Sequence, residues 1–111
     1  MFEIMNKEKN IVVGPKNQSI TEFYALFQND YPKLLNKNVI VDLSKVLVTK
    51  TSDILIFLKT AQAHFKKGSS FVIIAIGINI DELPEALNVA PTMIEALDII
   101  EMEEIGRDLG F

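Results

Sequence analysis

Apolar and polar positions along the chain change period several times, and each change marks an element. Phe2 and Ile4 alternate with Glu3, Asn6 to Asn10 is polar, and Ile11-Val12-Val13-Gly14-Pro15 follows, which predicts a short antiparallel hairpin. Ser19-Ile20-Thr21-Glu22 has capping-box spacing, with Ile20, Phe23 and Phe27 at helical intervals. A first helix therefore starts near Ile20 and is punctuated at Asn29-Asp30-Tyr31-Pro32, because proline disfavours helical geometry at the residue before it.

Asn38-Val39-Ile40-Val41-Asp42-Leu43 is a near-continuous run of β-branched residues, the pattern of a central strand covered on both faces. Thr51-Ser52-Asp53 then opens a second helix, with Ile54, Phe57, Leu58, Ala61 and Phe65 forming one apolar stripe. Lys66 and Lys67 suit its last turn, and Gly68 suits a left-handed cap. Phe71-Val72-Ile73-Ile74-Ala75-Ile76 is a second apolar strand, parallel to the first through a right-handed crossover. A short helix over 81–87 with Pro84 in its first turn, a short strand at Val89-Ala90 and a final helix capped by Thr92 and Glu95 complete the chain. The sum is an α/β (α+β-like) single domain over residues 1–111. It has a small mixed sheet of four to five strands, an N-terminal antiparallel hairpin and about four helices, largely on one side.

Composition narrows what such a domain does. The chain has 111 residues, 49% of them hydrophobic, with a net charge of −4. Six acids and one base follow Pro91, so the last helix carries all of the excess, while the remainder is nearly neutral and has no basic stripe for nucleic acid. The absence of cysteine removes thiolate metal sites and cysteine nucleophiles, and fits a reducing, cytoplasmic setting. No apolar run approaches the ~20 residues of a membrane span. With one histidine and no phosphate-cradling glycine loop or nucleophile elbow, the residues argue against an enzyme, a metal or another cofactor.

His64 reads as a partly exposed residue supporting the end of its helix, and Asp42 as the start of a turn rather than a phosphoacceptor. Carboxylates scattered around the last helix read as a solvated face. Its acids Glu101, Glu103 and Glu104 nevertheless oppose the helix dipole, which makes that face a second candidate contact surface toward a basic partner. The segment Thr49-Lys50-Thr51-Ser52-Asp53 is the most informative, because it sets hydroxyls at a helix start. Just past it, Leu55 and Ile56 lie about 100° and 200° from the stripe centre, away from the core-facing side.

Asp42-Leu43-Ser44, the hydroxyl-bearing helix start and the close Pro91-Thr92-Met93-Ile94-Glu95-Ala96 resemble a STAS domain, the fold of bacterial anti-sigma factor antagonists. The resemblance covers nearly the whole chain. In that family a DLS strand end is followed by DSSG or DSTG, which falls here on Lys50-Thr51-Ser52-Asp53; the two hydroxyl positions match, whereas Lys50 replaces an acid and Asp53 a glycine. The resemblance implies a non-enzymatic regulatory module, monomeric or weakly dimeric, that docks on a protein partner of the anti-sigma factor or serine kinase kind. Thr51 and Ser52 become candidate phosphorylation sites, and Lys50, Asp53, Leu55 and Ile56 candidate partner-binding residues. Two alternatives stand beside it: a carboxylate and divalent-cation enzyme or subunit using Asp42 or the C-terminal acids, and a structural adaptor with no switch.

Overall fold

Five strands form one sheet in the order β1-β2-β3-β4-β5 in a computed structural model that describes residues 3–7, 9–46 and 50–110. The strands are β1 (Glu3–Lys7), β2 (Asn10–Gly14), β3 (Asn38–Asp42), β4 (Phe71–Ile74) and β5 (Asn88–Ala90). β1 pairs antiparallel with β2 as the hairpin pattern predicts, and β2 through β5 are mutually parallel. Helices α1 (Ile20–Asp30), α2 (Thr51–Leu55), α3 (Leu58–Lys66) and α4 (Met93–Asp108) surround it, with 3-10 turns at Tyr31–Leu34 and Ile80–Glu82. Phe2 and Thr49, which the sequence assigns to the hairpin and the helix approach, lie outside the described residues.

Side chains alternate across the sheet and both faces are covered, which is why β3 and β4 read as unbroken apolar runs. Val39, Val41, Phe71 and Ile73 point to one face, against Phe23 and Phe27 of α1 and Phe57 between α2 and α3. The rings pack at centroid distances of 5.8 to 6.4 Å among Phe23, Phe27 and Phe57. Each such buried ring contributes about 1.5–3 kcal/mol relative to leaving it in water. Ile40, Val72 and Ile74 point the other way, onto Ala96 and Ile100 of α4. α4 thus forms a separate layer: the expectation of helices largely on one side holds for α1 to α3 and fails for α4.

Of the two predicted capping boxes, the first is complete and the second is present in its threonine half. The Ser19 hydroxyl accepts from the Glu22 N–H at 3.2 Å while the Glu22 carboxylate accepts from the Ser19 N–H at 3.0 Å. The Thr92 hydroxyl accepts from the Glu95 N–H at 3.2 Å. Gly68 closes α3 at φ +91, as its place after the lysines suggested. Gly14 has a different reason to lack a side chain: a Cβ there would lie 2.5 Å from the Asp42 carbonyl oxygen on β3.

Three local expectations are corrected. The helix predicted from Thr51 is broken at Ile56 and Phe57, where the Phe57 N–H turns tightly back to the Ile54 carbonyl at 3.1 Å. The buried row is Ile54, Phe57, Ala61 and His64, and Phe65 is left 52% exposed. The predicted 81–87 helix shrinks to one 3-10 turn, because its start is organised by Asn79, whose side chain accepts from the Asp81 N–H, and Pro84 prevents continuation.

His64 itself is fully buried rather than partly exposed. A carbonyl can only accept, so the contact of Nε2 with the Lys37 carbonyl places the ring proton there, and Nδ1 accepts from the Tyr31 hydroxyl at 2.8 Å. Burial pushes the His64 pKa down from its ordinary 6.5, with Lys67 and Arg107 acting in the same direction and the Lys37 carbonyl opposing. Burial also pushes the Tyr31 phenol up.

At the N-terminal ends of the parallel strands, the Asn38 amide joins four segments. Its Nδ2 donates to Asn10 Oδ1 at 2.9 Å and to Glu104 Oε2 at 3.2 Å, and its Oδ1 accepts from the Ser70 N–H at 2.8 Å. Glu103 similarly accepts from Asn88 Nδ2 at 2.9 Å. Glu103 and Glu104 are therefore half-buried anchors of α4 to the sheet. Their intramolecular bonds offset the unfavourable helix dipole, which removes them from the solvated face and from the second contact surface.

Candidate functional site

Parallel strands deliver their C-terminal ends to one edge of the sheet, and the loops after β3, β4 and β5 gather there. Asp42 ends β3 by accepting the Ser44 N–H at 2.9 Å, the turn-starting role its sequence position suggested. The chain then enters α2. Asp53 Oδ2 accepts the Lys50 N–H at 2.9 Å, and the Asp53 N–H returns to the Lys50 carbonyl at 2.9 Å. Lysine has no side-chain acceptor, so Asp53 is the residue that caps this start.

Thr51 is half-buried, and its hydroxyl donates to Glu82 Oε2 at 3.3 Å across to the Ile80–Glu82 turn. The other Glu82 oxygen accepts from Asn79 Nδ2 at 3.5 Å, so the carboxylate is held between the two loops. Ser52 and Lys50 are exposed. Leu55 and Ile56 are 39% and 38% exposed, consistent with their predicted angular offset from the core. The structure thus brings Lys50, Thr51, Ser52, Asp53, Leu55 and Ile56 into one short stretch bordering the end of the sheet.

Sequence reasoning missed three members of this edge. Ile76 and Ile80 are 63% and 52% exposed, and Glu82 supplies the partner of Thr51. The signal for the isoleucines was available: Ile76-Gly77-Ile78-Asn79-Ile80 surrounds a glycine at φ +78, a loop in which apolar side chains have no regular element to cover them. The unbroken apolar run assigns Ile76 to the preceding strand, which ends at Ile74. Nothing local pointed to Glu82.

The arrangement can do two things chemically. It leaves four large apolar side chains exposed, Leu55 and Ile56 just past the helix start and Ile76 and Ile80 on the loop after β4, and it sets hydroxyls beside carboxylates. An added phosphate on Thr51 would bring ~1.5–2 negative charges against Glu82 and Asp53. Because α2 is only five residues long and Asp53 already fills its cap, such a charge is repelled there rather than held.

No family model matches the chain, and no curated protein sequence matches it. Solved structures do. A serine-to-glutamate variant of RsbS from Moorella thermoacetica aligns with a TM-score of 0.64 at 16% identity, covering 91% of this chain and 95% of its own. The NMR structure of the protein TM1081 aligns with a TM-score of 0.65 at 15% identity, covering 91% and 89%. Both likenesses are likenesses of fold, and the fold is the STAS one that the resemblance of the chain's motifs implied.

Proposed function

We propose that this chain is a non-enzymatic regulatory module that docks on a protein partner through the C-terminal edge of its sheet. The observation that carries the reading is the exposure of four large apolar side chains, Leu55, Ile56, Ile76 and Ile80, on the hydroxyl-bearing helix start and on the loop after β4 that the Thr51–Glu82 hydrogen bond ties to it. The fold shared with RsbS supports the same kind of activity, with an anti-sigma factor or serine kinase as the partner class. In this reading Thr51 or Ser52 accepts the phosphoryl group. Phosphorylation of Thr51 replaces a hydrogen bond to Glu82 with repulsion, so it loosens the contact between α2 and the Ile80–Glu82 turn and weakens docking.

The test has two arms. Partner co-purification from the native cell is expected to be lost in the double variant Leu55→Ser and Ile56→Ser at unchanged thermal midpoint; retained co-purification refutes the docking surface. Incubating the chain with that partner and ATP, then reading intact mass, is expected to add one phosphate to wild type and none to the variant Thr51→Ala and Ser52→Ala. No added mass while the partner still binds removes the switch and leaves a docking module alone.

A further inference from the structure

The solvent side of α4 holds a surface that the sheet edge does not explain. Its inner face, through Ala96 and Ile100, is committed to the sheet. Ile94, Met102, Ile105 and Leu109 form a second apolar row, from 52% to 74% exposed. At ~3.6 residues per turn they fall within about 80° of arc and run about 22 Å along the helix.

The charges around this row select its occupant. Exposed Glu95 and Glu101 border it on opposite sides, and exposed Asp98 lies within it. Asp98 and Glu101 have no hydrogen bond or ion pair among the described residues, unlike Glu103 and Glu104, which are tied to the sheet. Arg107, the only base of α4, is half-buried on the side away from the row. A second copy would set acidic border against acidic border, and anionic lipid would be repelled. We infer that the outer face of α4 docks an amphipathic helix of a partner protein, whose apolar stripe is flanked by lysine or arginine. This surface belongs to the layer opposite α2, so it engages independently of the sheet-edge site and stands or falls separately from it.

A fluorescein-labelled peptide of about 18 residues, with leucines at helical spacing flanked by lysines, is the probe; its counterpart carries glutamates in place of the lysines. The basic peptide is expected to bind and the acidic one not to. Binding should weaken by about tenfold or more in the double variant Met102→Ser and Ile105→Ser and, separately, in Asp98→Asn and Glu101→Gln. All four positions are exposed, so an unchanged thermal midpoint confirms folding, and the charge variant leaves the apolar row intact. Amide shifts on adding the basic peptide should concentrate at Ile94, Met102, Ile105 and Leu109. Equal binding of both peptides, binding undiminished in either variant, or shifts centred on Leu55 and Ile56 overturns the inference. So does a dimer in sedimentation that the Met102→Ser and Ile105→Ser variant abolishes, since that assigns the face to a second copy.

Discussion

Replacing His64 with Phe should lower stability by about 2–4 kcal/mol, a large loss for a residue that sequence alone places at a helix surface. Phe keeps the ring among Tyr31 and Phe71, whose centroids lie 5.6 and 6.0 Å from it. What disappears is the N–H to the Lys37 carbonyl, worth about 1–3 kcal/mol when a buried acceptor is left without its donor, and the Tyr31 bond, worth about 0.5–1.5 kcal/mol. At roughly 4–8 °C per kcal/mol for a small domain, the midpoint falls by about 10 °C or more. The sign of the pH effect is fixed by the same geometry. Unfolded chains protonate this ring near its ordinary 6.5, whereas the folded protein resists until lower pH. The contribution is therefore complete above about 6.5 and is lost as pH falls toward the depressed folded value. Urea unfolding of wild type at pH 7.5 and 5.5 should show a drop, and His64→Phe should abolish that difference while lowering both values. Among the described residues Glu22 is the other group with a lowered pKa; it acts below its ordinary 4.5 and leaves this window undisturbed. A His64→Phe midpoint equal to wild type, or wild-type stability that is flat between the two pH values, refutes the account.

Three further outcomes are expected. Gly14→Ala should cost about 1–3 kcal/mol, since its Cβ must push β2 away from the Asp42 carbonyl; amide exchange should accelerate at Val13 and Val41, which pair across β2 and β3. Asn38→Asp retains an acceptor for the Ser70 N–H but sets a carboxylate against Asn10 Oδ1 and Glu104 Oε2, so chemical denaturation at pH 7.5 should show a loss of about 2–4 kcal/mol that Asn38→Ser does not reproduce in its pH dependence. Ser19→Ala should cost about 1 kcal/mol. It should also raise the Glu22 pKa part of the way, read by carboxyl-carbon NMR, because the Ser19 backbone N–H still holds the carboxylate down after the hydroxyl is gone.

Much of this fold was legible where the deciding chemistry is short in range. The capping pairs Ser19 with Glu22 and Thr92 with Glu95 span three residues, and Gly68 follows its helix directly, so the sequence displays both partners together. β3 and β4 were legible because a strand buried on both faces needs an unbroken β-branched run, whatever lies above and below it. The offset of Leu55 and Ile56 from the core followed from helical periodicity alone, and their exposure agrees with it.

Other features depend on partners that the chain brings together from far apart. His64 and Phe65 are adjacent and both lie close to the apolar stripe, so periodicity favours Phe65 for the core; Tyr31 and Lys37 supply the polar partners that let an imidazole be buried there instead. Thr51 meets Glu82 across 31 positions, and Asn38 meets Glu104 across 66. By itself the sequence determined where α1, α2 and α4 start, which strands are covered on both faces and where the hydroxyls stand, because those depend on hydrogen bonds and sterics within a turn or a strand. Only the tertiary structure decided that α4 covers the opposite face of the sheet, that two of its acids are anchors while others frame an apolar row, and that Glu82 clasps Thr51. Those outcomes follow from which layers pack together, and no local window of residues contains both sides of such a contact.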